Sequence, residues 1–187
     1  MVVACHGRPA PDADCSSTGS AKYIAWYELV PQASVTITSL TIRAGDKMSA
    51  SVDVRGHTVK LRLENLTRQQ TFTRTLTASQ VDTSSAEWIV EAPSLCGSQL
   101  QVCETQPLAD FGTARFANAE ATTAGGHTGP IADTTWSATA INLSTASGAA
   151  FGGQRFARDR GTPATSTATT GGLSTSGSSF PVTYGTT

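Results

Sequence analysis

Charge is scarce in this chain. Asp, Glu, Lys and Arg make up 14% of its 187 residues, and 13 basic side chains nearly cancel 14 acidic ones, giving a net charge of -1 at pH 7. With no cationic surplus to displace counterions from phosphates, non-specific nucleic-acid binding is excluded as the main activity. Long apolar runs are missing too. No window approaches the roughly 18 consecutive apolar residues of a membrane-spanning helix, so no membrane partner is expected. No segment longer than a few turns carries apolar residues at helical spacing between caps, so helix content should be low. No repeat of fixed period occurs. The four cysteines include no Cys-x-x-Cys, and His6, His57 and His127 are scattered without a matched ligand set. Neither a metal nor a cofactor is expected. Residues 1–11 have no basic start followed by an apolar stretch and no cleavage-like end, so no secretion signal is expected in this sequence.

What is present points to strands. Hydrophobic residues account for 39% of the chain, and Ser plus Thr for roughly a quarter. A Lys-poor, Ser/Thr/Gly-rich composition suits an extracellular all-β protein, where Thr covers the wet faces of strands. The length fits one domain.

Met48, Ala50, Val52 and Val54 alternate with Ser49, Ser51 and Asp53, the period of a half-buried strand. Arg55-Gly56-His57 supplies a turn, and Val59, Leu61 and Leu63 alternate with Thr58, Lys60, Arg62 and Glu64, completing a hairpin. Upstream, Val35 and Ile37 are out of phase with Leu40 and Ile42, which predicts a bulge near Thr38-Ser39 before an Ala44-Gly45-Asp46 turn. Downstream, Phe72, Arg74 and Leu76 oppose Thr71, Thr73, Thr75 and Thr77, and Trp88 and Val90 oppose Glu87, Ile89 and Glu91. Further strands are predicted at 110–117, 135–143 and 180–184. The Gly/Ser/Thr-rich stretch 148–179, with its charged patch Arg155-Phe156-Ala157-Arg158-Asp159-Arg160, reads as a long loop before the final strand. Many short strands between turns mean an antiparallel sandwich or barrel. Cys96 and Cys103 flank the short segment 97–102, which suits a local disulfide. Cys5 and Cys15 either form a second bridge or stay separately partnered.

Two clusters could carry chemistry. Glu87 and Glu91 share one strand face, but four strand residues span about 13 Å. A glycosidase pair needs about 5–5.5 Å or about 6.5–9.5 Å, which argues against that role. A single carboxylate beside Trp88 and Ile89 could move protons as base and then acid, or be a surface strand residue. In Tyr23-Ile24-Ala25-Trp26-Tyr27-Glu28-Leu29-Val30-Pro31, Trp26 and Glu28 share a face. That pattern grips an extended polymer by stacking and hydrogen bonding, or belongs to an aromatic core strand with its Glu turned out. No Gly-x-Ser-x-Gly elbow singles out a serine nucleophile. Asn65-Leu66-Thr67 and Asn142-Leu143-Ser144 match glycosylation acceptors, which chance also produces often.

The order Ala25-Trp26-Tyr27-Glu28-Leu29-Val30-Pro31, Ala44-Gly45-Asp46, Leu63-Glu64-Asn65-Leu66-Thr67, Ala86-Glu87-Trp88-Ile89-Val90-Glu91-Ala92-Pro93, Pro107-Leu108-Ala109-Asp110-Phe111-Gly112 and Gly177-Ser178-Ser179-Phe180-Pro181-Val182-Thr183 resembles the glutamic peptidases, or eqolisins. The likeness runs from about Asp14 to the C-terminus and is greatest to the bacterial branch. It implies an antiparallel β-sandwich of two curved sheets, of the concanavalin A-like lectin and glucanase type, with a peptide-binding cleft on the concave face. In the family a Gln/Glu dyad activates water: the Glu takes a proton and hands one to the leaving amine, while the Gln amide supports the oxyanion. The motif places that Glu at Glu91, with Glu87 as second choice, and sets Trp26 and Glu28 along the cleft. The implied protein is a secreted, acid-acting, monomeric endopeptidase with a polypeptide substrate and no cofactor. The rival reading is a non-catalytic, lectin-like module for glycans or peptides.

One departure matters. The family Gln belongs to a Gln-x-Gly-Thr-like segment well before Trp26-Tyr27-Glu28, and that register falls near Arg8, in His6-Gly7-Arg8-Pro9-Ala10-Pro11. Gln69, Gln70 and Gln80 match no family position. The domain is therefore expected over 14–187, incomplete at its N-terminus, after an atypical segment 1–13. A neighbouring reading frame through Gly7-Arg8-Pro9-Ala10-Pro11 can spell Gln-Ala-Gly-Thr, so that segment is expected to be a misread start. The chain as given is then expected to be inactive.

Overall fold

A computed structural model of the chain describes residues 2–4, 23–92, 94–96, 103–105, 108–146 and 165–186. The described residues form strands and turns and contain no helix, and they divide into two compact units, Met1–Ser85 and Ala86–Thr187.

In the first unit, β1 (Val2–Ala4), β2 (Tyr23–Tyr27) and β3 (Val35–Ile37) form one antiparallel sheet in that order. β4 (Met48–Arg55), β5 (Thr58–Asn65) and β6 (Gln70–Thr77) form another. The alternation read from the sequence is the alternation in space. Val54 pairs with Val59 and Val59 with Leu76, while Ala50 pairs with Leu63 and Leu63 with Phe72, so the apolar side chains share one face. Arg55 pairs with Thr58, leaving Gly56 and His57 as a two-residue turn. Gly56 has φ of 58°, the left-handed value that a type II′ hairpin needs at its first turn position. The face is unevenly covered: Val59 and Leu63 are buried, but Val52 is 66% exposed. Leu63 joins Ala25, Ile37, Leu40 and Ile42 in one apolar cluster, against which Tyr23, Tyr27, Met48 and Phe72 pack.

The out-of-phase pattern at Thr38-Ser39 is a turn that ends β3 rather than a bulge within it. Leu40 and Ile42 are buried beyond that turn without belonging to a strand.

The second unit pairs strands that follow one another in the chain, except that its last strand returns to an early one. β7 (Ser94–Cys96) pairs with β8 (Cys103–Thr105), bringing residue 96 opposite residue 103. β9 (Thr113–Phe116) is followed by the hairpin of β10 (Glu120–Thr122) and β11 (Thr128–Pro130). β12 (Leu143–Ala146), β13 (Thr165–Thr170) and β14 (Phe180–Thr186) join β9 in a four-stranded antiparallel sheet, ordered β12-β13-β14-β9. Two sequence expectations fail here. Residues 135–142 form no strand, because Trp136 Nε1 donates to the carbonyls of Pro130 (3.2 Å) and Ile131 (3.1 Å) and Thr135 N donates to Asp133 Oδ1 (2.8 Å), folding the segment back on itself. The stretch read as one long loop contains β13, an interior strand whose Ser166 and Ala168 are buried. Small residues suffice there because β13 has a strand on either side. The charged patch 155–160 lies outside the described residues.

The core of this unit is Ala92, Leu108, Ala119, Ala168, Phe180 and Val182. Phe180 stacks on Phe116 at 5.1 Å between ring centroids, as their cross-strand pairing dictates. Gly177, at φ of 69°, lets its loop pass close to Ala132: a Cβ there would stand 2.6 Å from the Ala132 Cβ.

Candidate active site

Glu91 belongs to the second unit. Trp88 and Val90 pack against the core and Ala92 is buried within it, while Glu87 and Glu91 are exposed. The period of two read from the sequence holds for these residues, but Ile89, expected on the outward side, is half-buried, and 86–92 is not a strand. Inward side chains, rather than a hydrogen-bonded ladder, set the outward direction of Glu91. Trp88 and Val90 pack into the core, and Glu91 is exposed.

Trp26 and Glu28 belong to the first unit. Tyr23, Ala25 and Tyr27 form the core side of β2, with Tyr27 stacked on Phe72 at 5.9 Å. Trp26, half-buried and paired with Thr36 of β3, points to the other side. Glu28 follows two residues later, just past the strand, and is exposed. These two side chains thus share a phase, and neither forms the strand's core side. Arg8, where the resemblance seats the family Gln, lies outside the described residues, as do Cys5 and Cys15.

Several quoted motifs build scaffold. Asn65 is wholly buried; its amide nitrogen donates to the Thr41 carbonyl (2.9 Å) and Asp46 Oδ2 (2.7 Å), and its oxygen accepts from Arg68 N (3.0 Å). Arg68 Nε also reaches Asp46 Oδ2, at 2.8 Å. The Asn65 bond, supported by the Arg68 guanidinium and the Arg43 backbone N–H, holds the Asp46 carboxyl below the usual aspartate range despite its burial. Ala44-Gly45-Asp46 and Leu63-Glu64-Asn65-Leu66-Thr67 therefore meet in one polar knot that ties two turns together. Asp110-Phe111-Gly112 is similarly local. Gly112 N donates to Asp110 Oδ1 (2.9 Å), Gly112 O accepts from Tyr184 N (2.8 Å), and Phe111 packs edge-on against Tyr184.

One cluster escaped the sequence reading, which weighed histidines only as metal ligands. His127 Nε2 lies 3.1 Å from Asp133 Oδ2 and 3.1 Å from Thr135 Oγ1, and the ring meets Trp136 edge-on at 5.7 Å. A nucleophilic triad uses opposite ring nitrogens for its carboxylate and its hydroxyl. Here both contacts converge on Nε2, so the group is not a hydrolytic triad. The signal in the sequence was the spacing of Asp133, Thr135 and Trp136 just beyond His127 and a glycine-rich turn. Among the described residues, no group of three or more His, Cys, Asp and Glu side chains could hold a metal ion.

A model of the Peptidase A4 family matches residues 12–155. The chain belongs to this family. It is 34% identical over 120 residues to Aspergillopepsin-2 of Aspergillus niger, an alignment covering 62% of this chain and 40% of that protein. It is 33% identical over 100 residues to Scytalidopepsin B of Scytalidium lignicola, covering 51% and 38% respectively. The chain thus spans 40% or less of the length of these curated relatives. The crystal structure of aspergilloglutamic peptidase from Aspergillus niger superposes with a TM-score of 0.60 at 29% identity, over 91% of this chain and 85% of that one. The expected all-β, antiparallel β-sandwich class stands on that likeness, and the matched stretch of the A4 family includes Trp26, Glu28, Glu87 and Glu91.

Proposed function

We propose that this A4-family chain supplies the carboxylate half of an acid-acting glutamic endopeptidase, with Glu91 as the proton carrier. The observation that carries the reading is the combination of family membership with an exposed Glu91 on a segment pinned through Trp88 and Val90. Glu91 would take a proton from water as it attacks the scissile carbonyl, then return one to the leaving amine. Trp26 and Glu28 would bind the extended polypeptide, the indole by stacking and the carboxylate by accepting backbone N–H groups. Glu87, exposed in the same phase as Glu91, is the second candidate.

The amide partner has no counterpart at Arg8, so this chain alone is expected to be inactive. Loss of one oxyanion donor costs about 10²–10³ in kcat. Action outside the cell agrees with the low charge and Ser/Thr-rich strands. None of the helix-free described residues forms a helix long and apolar enough to cross a membrane. A bridge between Cys96 and Cys103 is supported by their opposed backbone positions in the β7/β8 register.

The test is incubation with a denatured protein at acid and neutral pH, of this chain and of a form extended by the family's Gln-bearing segment. The extended form is expected to cleave in acid and to lose about 10²–10⁴ in rate in Glu91→Gln. Cleavage undiminished in Glu91→Gln would overturn the assignment. Binding of polysaccharide without any cleavage would favour the lectin-like module.

A further inference from the structure

We propose that His127, Asp133 and Thr135 form a proton-set latch, which fastens the turn of the β10/β11 hairpin to the 131–136 loop and tightens when the His127 ring is charged.

The latch has two sides. On one, residues 123–127 close the hairpin: Thr123 N donates to the His127 carbonyl (2.9 Å), His127 N donates to Thr123 Oγ1 (3.2 Å), and Gly126 N donates to the Thr123 carbonyl (2.9 Å). This network sets the backbone from which the imidazole projects. On the other, Asp133 is a hub. Its N–H donates to the Pro130 carbonyl (2.9 Å), its Oδ1 accepts from Thr135 N (2.8 Å), and its Oδ2 meets His127 Nε2 (3.1 Å). The imidazole contacts are therefore the side-chain fastening between hairpin turn and loop, with Thr135 Oγ1 sharing the same ring nitrogen and Trp136 against the ring edge.

A charged ring donates from Nε2 to a carboxylate as a salt bridge, a bond roughly twice as strong as its neutral counterpart. A neutral ring has two tautomers. One keeps a weaker N–H bond to Asp133; the other turns a lone pair toward the carboxylate, losing that bond while accepting from the Thr135 hydroxyl. Deprotonation therefore loosens the latch without abolishing it.

Among the described residues, two neighbouring segments do not compete. Glu120, the other acid of the hairpin, pairs in register with Pro130, at the opposite end from the His127 turn. The 171–179 loop, which meets this region through Gly177 and Ala132, carries hydroxyls and no charged side chain. Asp133 is itself fitted to acid. Its bonds from Thr135, with the His127 contact adding to them, hold its carboxyl below the usual aspartate range. Its contribution is therefore present above the ordinary aspartate value and is lost only as pH falls through the lowered one. The latch is strongest when ring and carboxylate are both charged.

Ile131, next to the fastened loop, packs on the same core as Trp88 and Val90, so the latch steadies part of the platform beneath Glu91. The inference goes beyond the peptidase reading, and its test needs no cleavage, so either can fail alone.

Amide hydrogen exchange on the whole chain, corrected for the intrinsic rate, gives the readout. Protection at Thr123, Asp133 and Thr135 should fall about two- to fivefold between pH 5 and pH 8, the effect of one half-exposed ion pair. The ratio should become about one in His127→Gln, a substitution at a 47% exposed side chain. Amides of β9 and β14 should hold their protection in both proteins. A flat wild-type ratio, or an equal pH response in His127→Gln, would overturn the latch.

Discussion

In the first unit the largest wholly buried side chain is an amide, Asn65, whereas the second is centred on two stacked phenyl rings, Phe116 and Phe180. The difference follows from connectivity. Strands β4, β5 and β6 pair in chain order, so their register is set by the turns between them, and a polar knot across those turns fixes the sheet. In the β12-β13-β14-β9 sheet the closing pair, β14 with β9, joins strands with β10, β11, β12 and β13 between them in the chain, so no single turn sets that pairing. There the specifying contacts are apolar: Phe180 opposite Phe116 and Val182 opposite Ala114. A local sheet can be held by directional bonds between neighbours, while a non-local one needs a core that rewards closing the long loops.

Four substitutions test this contrast. The largest effect is expected from Phe180→Ala, which removes half of the ring stack and leaves a cavity. Urea unfolding should show a loss of about 3–5 kcal/mol, and a loss below about 1 kcal/mol would remove the ring stack from the centre of the second unit. Asn65→Ala strands the Thr41 carbonyl and the Arg68 N–H in a buried place, at a cost of about 1–3 kcal/mol by the same assay. Asp46→Asn sharpens the comparison through pH. Because the Asp46 carboxyl sits below its ordinary range, its contribution is present above that range and is lost as pH falls through the lowered value. The variant should therefore show a flatter stability profile on the acid side of the ordinary aspartate value, and an unchanged profile would remove Asp46 from the knot. The smallest effect belongs to Val52→Thr, at the exposed end of the β4/β5/β6 face, where thermal unfolding should move by no more than about 0.5 kcal/mol.

The same contrast explains what could be read from the sequence. Alternation predicted β4, β5 and β6 because each strand's partner is its neighbour and Val, Leu and Phe mark one face against Ser and Thr. It missed β13, whose Thr165-Ser166-Thr167-Ala168-Thr169-Thr170 run buries only small side chains. It placed a strand at 135–143 because Trp136 and Ile141 look like strand residues, although the Trp136 N–H is committed to carbonyls five and six residues back. Around Glu91 the outward phase of Glu87 and Glu91 and the inward phase of Trp88 and Val90 were legible, while the half-burial of Ile89 and the absence of a strand at 86–92 were not, since the alternation of side chains says nothing of a hydrogen-bonded partner. Asp46, Asn65 and Arg68 were visible only as separate motifs, because 19 residues separate the first two.

The buried Asn65 also bears on how the protein should be produced. Asn65-Leu66-Thr67 is an acceptor triplet for N-linked sugar, and in the folded chain its amide nitrogen is sealed from solvent with both hydrogens engaged. A host that glycosylates nascent chains meets that nitrogen before the fold closes over it. A sugar attached then would hold the 41–46 and 65–70 turns apart, and the modified molecules would accumulate as misfolded material. Expression in a host without this modification, or with Thr67 replaced, removes that competition. Thr67 carries its own cost, because its hydroxyl accepts the Lys47 N–H at 2.8 Å. Serine at that position keeps the bond and the acceptor triplet alike, so the choice of host is the cleaner remedy.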